Sequence, residues 1–95
     1  FPSLCESSGY TLIEAMSCGA PVLASDKTAI PYTCGDGAEY YDGYSSSALF
    51  RKLEFILSDD DRLMQLRVKG LARASEMIDY KQAVQQFIAV IRAAT

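Results

Sequence analysis

The order of two patterns limits what this chain can fold into more than any other feature. Its first half alternates short apolar runs with turn residues and its second half carries long helical periodicity, the order of an α/β unit that finishes in helices. Phe1-Pro2-Ser3-Leu4 reads as the end of a buried strand running into the polar loop Glu6-Ser7-Ser8-Gly9. A helix from about Tyr10 to Cys18 follows, stopped by Gly19 and Pro21. Pro21 to Ala24 reads as a short buried strand and Ala38 to Tyr41 as a weaker one, joined by a turn-rich connection through Pro31 and Gly35.

Three helices are expected beyond residue 44. Ser45, Ser46 and Ser47 cap the first, which carries Leu49, Leu53, Ile56 and Leu57. Ser58 and the acidic residues Asp59, Asp60 and Asp61 supply a cap and a negative first turn for the second, with Leu63, Leu66 and Leu71 as its buried stripe. Asp79 with Gln82 resembles a capping box for the last, where Val84, Phe87, Ile88 and Ile91 make an apolar face that needs a cover. The chain therefore divides into an α/β part, 1–44, and a helical part, 45–95.

Composition excludes several classes. A formal net charge of -3, with both signs mixed along the chain, leaves no electrostatic footprint for nucleic acid. Three cysteines without a paired spacing, and no histidine, give no familiar zinc pattern and fit a reducing, cytoplasmic compartment. No apolar run approaches the length of a membrane span. With 95 residues and Phe1 in place of Met, the chain reads as a fragment of something larger.

The chemistry concentrates between Glu6 and Glu14, two carboxylates at E-x7-E spacing. Ligands of open α/β sheets sit at the carboxyl ends of the strands, so Glu6 should point into that crevice. A helix beginning near Gly9 aims free N–H groups and a positive dipole end at the same place, a ready site for a diphosphate. Glu14, about one turn in, can accept paired hydrogen bonds from vicinal hydroxyls, and Thr11-x-x-Glu14 equally fits a capping box. Ser7 and Ser8 lack a histidine base and a G-x-S-x-G setting, which argues against a nucleophile.

Glu6 to Glu14, continued by Ala15-Met16-Ser17-Cys18-Gly19-Ala20-Pro21-Val22-Leu23-Ala24, closely resembles the carboxyl-terminal, donor-binding lobe of family 4 retaining glycosyltransferases of the GT-B fold. Ile30-Pro31, Gly35-Asp36 and the three closing helices fall in the same order, so the resemblance spans nearly the whole chain. It implies a partial Rossmann-like fold and transfer of a sugar from a nucleoside diphosphate to a sugar, lipid or other acceptor. Under it, Glu6 contacts the donor sugar at the reaction centre and Glu14 binds the ribose hydroxyls. The backbone amides around Ser8, Gly9, Tyr10 and Thr11 meet the sugar and distal phosphate, with Ser7 in the pocket wall. No metal or other cofactor is implied. The amino-terminal lobe would be missing, leaving this piece inactive alone and leaving peripheral membrane contact to that lobe. Ser7 and Ser8 stand where Gly and Phe are frequent, and Tyr32 where Glu often follows Pro31. Two other readings keep the fold: a non-catalytic scaffold docking through its last helix, and a nucleotide-sugar epimerase.

Overall fold

A computed structural model describes residues 1–77 and 80–94. The order is α1 (Tyr10–Ser17), β1 (Leu23–Ser25), α2 (Ile30–Cys34), a 3-10 turn (Gly35–Gly37), β2 (Glu39–Tyr41), α3 (Ser46–Leu57), α4 (Asp60–Met77) and α5 (Tyr80–Ala94). The expected class, short parallel strands followed by three helices, is the one observed. β1 and β2 run parallel, with Leu23 opposite Glu39 and Ser25 opposite Tyr41. A parallel pair needs a crossover, and α2 with its 3-10 turn supplies it. On the other side of β1 the Phe1 amine donates to Leu23 O at 2.9 Å and the Ser25 amide to Phe1 O at 3.0 Å. Of the four residues read as a strand end, Phe1 pairs with β1, and Pro2, Ser3 and Leu4 run away from the sheet.

Local signals place the helix ends. Gly19, at φ 80, closes α1 in a Schellman arrangement, its amide reaching Met16 O at 2.9 Å while that of Ala20 reaches Ala15 O at 3.1 Å. Ser45 Oγ accepts from the Ala48 amide at 3.1 Å. At α4 the cap is Asp59, whose Oδ1 accepts from the Arg62 amide at 3.1 Å, while the Ser58 hydroxyl turns back to Phe55 O. Of the pair expected to open α5, Asp79 lies outside the described residues.

Leu12, Ile13 and Met16 of α1 pack with Val22, Ala24, Ile30 and Cys34 in one buried cluster, each large side chain contributing about 1.5–3 kcal/mol of burial. α4 joins it through Ala74. Its buried stripe is Leu66, Gly70 and Ala74, and Leu71 is 39% exposed. That corrects the expected stripe of Leu63, Leu66 and Leu71, for a reason visible at Gly70. A Cβ there would lie 3.3 Å from Met16 Cγ and 3.4 Å from the Gly37 carbonyl, so the helix approaches too closely for a large residue on that face. In α3 Ile56 is the one buried residue, with Leu53 and Leu57 exposed. The connection read as turn-rich contains a helix, α2, whose last carbonyls are held by Arg73 of α4. Nε donates to Thr33 O and one terminal nitrogen to Tyr32 O, both at 2.9 Å. A cation at a helix carboxyl end is favourable for the dipole as well.

Glu39 ties β2 to both following helices. Its carboxylate accepts from Lys52 Nζ at 2.9 Å and from the Arg62 guanidinium. Burial raises the Glu39 carboxyl, but the bonds and charges of Lys52 and Arg62 outweigh it and hold the group below its ordinary 4.5. Because the folded value lies below the unfolded one, the stabilisation is complete above about pH 4.5 and is lost as pH falls through the folded value. Thermal melts of the full protein from pH 7 to pH 3 are therefore expected to show Glu39→Gln well below wild type at neutral pH, the gap closing in acid. A constant gap would assign the loss to packing instead.

Candidate functional site

The residues singled out in the sequence meet at the amino end of α1. Gly9, buried, is the N-cap at φ 70 and ψ 32, a left-handed conformation that glycine takes without penalty. No side chain caps the helix, so the first amides, those of Tyr10 and Thr11, keep the open N–H groups that a helix start leaves over. Tyr10 and Thr11 are themselves exposed. The capping box between Thr11 and Glu14 does not form. With Gly9 as the cap, Thr11 is already the second helical residue and Glu14 the fifth, on the exposed side of the helix.

Glu6 is half-buried, and its backbone is gripped at both polar groups by the segment that follows β1. Its amide donates to Thr28 Oγ1 at 2.8 Å, and its carbonyl accepts from the Ala29 amide at 3.4 Å. Further along the loop, the buried Thr33 hydroxyl donates to the Ser8 carbonyl. Ser7 stays exposed and Ser8 half-buried between these two anchors. Glu6 therefore stands beside the carboxyl end of β1, held by the residues that follow that strand. Among the described residues the carboxylates of Glu6 and Glu14 enter no ion pair or hydrogen bond, which leaves both available to a ligand.

Threonines 28 and 33 were missed in the sequence. Thr28 is the one non-glycine residue at positive φ among those described, at φ 51. A β-branched residue there carries strain of about 1–3 kcal/mol. The segment before it is fixed by Lys27, whose Nζ lies 3.2 Å from Asp26, 3.1 Å from Asp42 and 4.1 Å from the centroid of the Tyr44 ring. The Asp26 carboxylate also accepts from the Gly43 amide at 3.3 Å. These contacts join the loops after β1 and β2 into one rim.

Cys5 and Cys18 are exposed, and burial pushes the Cys34 thiol up, keeping it a small neutral core residue. Burial also pushes the Tyr40 phenol up to about 12, and its hydroxyl donates to the Gly35 carbonyl, a bond that fastens β2 to the crossover.

Residues 1–73 match the family described as Glycosyl transferases group 1. The O-antigen chain mannosyltransferase B of Escherichia coli is 34% identical over 80% of this chain and 20% of its own length. The alpha-maltose-1-phosphate synthase of Mycolicibacterium smegmatis is 29% identical over 96% of this chain and 26% of its own. Among solved structures, a sucrose-phosphate synthase from Thermosynechococcus elongatus superposes on 99% of the chain with a TM-score of 0.84, at 26% identity and over 25% of its own length. The chain thus spans about a quarter or less of each protein it is compared with.

Proposed function

The chain belongs to the group 1 glycosyl transferases and carries part of a GT-B fold, and from that premise we propose that it is the donor-binding part of an enzyme that moves a sugar from a nucleoside diphosphate to an acceptor with retention of configuration. What supports the reading is the gripped Glu6 loop beside the uncapped amino end of α1, with the free Glu14 carboxylate on the same helix. In it Glu6 holds the donor sugar at the reaction centre and Glu14 the ribose. The amides at Ser8, Gly9, Tyr10 and Thr11 face the sugar and distal phosphate, with Ser7 beside them. Open amides and a helix dipole suit a diphosphate. A helix end worth about 0.3–2 kcal/mol does not by itself stabilise a departing diphosphate. The basic groups and the acceptor site are accordingly assigned to a second, amino-terminal lobe, and the chain alone is inactive. No metal or organic cofactor is assigned to the transfer. Among the described residues no helix is long and apolar enough to cross a membrane; a cytoplasmic enzyme, with any peripheral membrane contact made by the other lobe, completes the proposal.

Calorimetry on the full protein tests it. Nucleoside diphosphate sugars should give saturable heat, weakened about 10- to 100-fold by Glu14→Ala, the loss of charge-assisted bonds worth roughly 1.5–3 kcal/mol. One observation favours a second reading: α5 exposes Val84, Phe87, Ile88, Val90 and Ile91, a face that a non-catalytic docking module would use. Such a module gives no heat with any nucleotide sugar.

A further inference from the structure

We propose that Thr28 is a positioning residue that sets the Glu6 loop for catalysis, an inference that rests on the reading of Glu6 as the reaction-centre carboxylate. Thr28 Oγ1 accepts from the Glu6 amide at 2.8 Å, and the next residue, Ala29, donates to the Glu6 carbonyl. Both polar groups of the Glu6 backbone are therefore placed by one dipeptide from a segment 22 residues away in the chain. That dipeptide is itself immobilised. Lys27 before it is pinned by Asp26, Asp42 and the Tyr44 ring, and Ile30 after it is fully buried at the start of α2.

The backbone at Thr28 is where the cost shows. At φ 51 a glycine would sit without strain, whereas a β-branched side chain is among the least suited to the left-handed region. The Thr28 side chain is exposed and contributes nothing to the buried cluster. What it contributes that glycine lacks is the acceptor oxygen on the Glu6 amide. Strain retained at such a position is the signature of a group kept for geometry at a site rather than for stability. A displacement of about 1 Å at a reacting group can cost on the order of a hundredfold in rate.

The test compares Thr28→Gly, Thr28→Ser and Glu6→Ala in the full protein, reading kcat for sugar transfer, nucleotide affinity by calorimetry and melting temperature. Thr28→Gly is expected to lower kcat about 10- to 100-fold with affinity and melting temperature close to wild type, because relief of strain offsets the added freedom of glycine in the unfolded chain. Thr28→Ser, which keeps the acceptor, restores kcat to within a few fold of wild type. Wild-type turnover in Thr28→Gly beside a crippled Glu6→Ala would overturn the role of Thr28 alone. A loss shared equally by glycine and serine, or one that tracks a fall in melting temperature, would overturn it too. Wild-type turnover in Glu6→Ala would instead remove the reading of Glu6 beneath it.

Discussion

Glu6→Ala in the full protein is expected to slow sugar transfer by about a hundredfold or more, equivalent to roughly 2.7 kcal/mol of transition-state stabilisation, while nucleotide affinity stays within a few fold. The asymmetry follows from where the residue stands. Glu6 lies in the loop before α1, held through its backbone by Thr28 and Ala29, so truncating its side chain removes a carboxylate without releasing the loop. Glu14 sits on the helix itself, and its carboxylate takes no part in the cap. A group that acts in the transition state lowers kcat, and a group that anchors the nucleotide lowers affinity. Steady-state kinetics with product analysis checks this. The anomeric configuration of the product tests retention, and a donor epimer instead of a transferred sugar would turn the proposal toward an epimerase. Equal losses of kcat and affinity in Glu6→Ala would sink the division of roles.

Gly70→Val is expected to destabilise the fold by about 1–3 kcal/mol beyond any change in helix propensity. The valine Cβ alone would come within 3.3 Å of Met16 Cγ and 3.4 Å of the Gly37 carbonyl, and its two methyl groups add bulk to a contact already tight for a Cβ. The opposing surface is as tight, since a Cβ at Gly37 would lie 2.9 Å from Arg73 Cβ. Met16 is fully buried on α1, the helix that opens with Tyr10 and Thr11, the residues proposed to meet the donor. Displacing α4 therefore strains α1 from behind, and the same variant should lose nucleotide affinity as well as stability. Urea unfolding of the full protein measures the first and calorimetry the second. Valine tolerated at wild-type stability would mean that α4 does not approach α1 as closely as the geometry here requires.

Glycine and proline punctuation, serine and aspartate caps and the E-x7-E spacing were legible because each acts within a few residues of itself. Gly19 ends α1 whatever lies around it, and Ser45 and Asp59 cap their helices through amides three positions on. The helix α2 was not legible: five residues, with Pro31 near its start, give no period to read, and its carboxyl end is held by Arg73 from 40 positions away. The stripe of α4 misled for a different reason. Hydrophobic periodicity points to the largest apolar residues, whereas a close helix approach selects the smallest, so Gly70 and Ala74 face the core and Leu71 does not.

The site divides along the same line. That Glu6 and Glu14 flank the start of a helix follows from the sequence alone, because Gly9 between them can only loosen or turn the chain. Whether Glu14 would fold back as half of a capping box was decided by the tertiary structure. The same Thr11-x-x-Glu14 pattern serves a capping box only if Thr11 is the N-cap, and the N-cap is Gly9, two residues earlier. The position of Thr28 inverts every local preference. A threonine is driven into a glycine's conformation because Lys27, Ile30 and the Glu6 amide fix it from three sides. Local sequence thus determined which residues open the site, and long-range contacts decided how they are held, since only bonds between distant segments can outweigh a residue's own conformational preference.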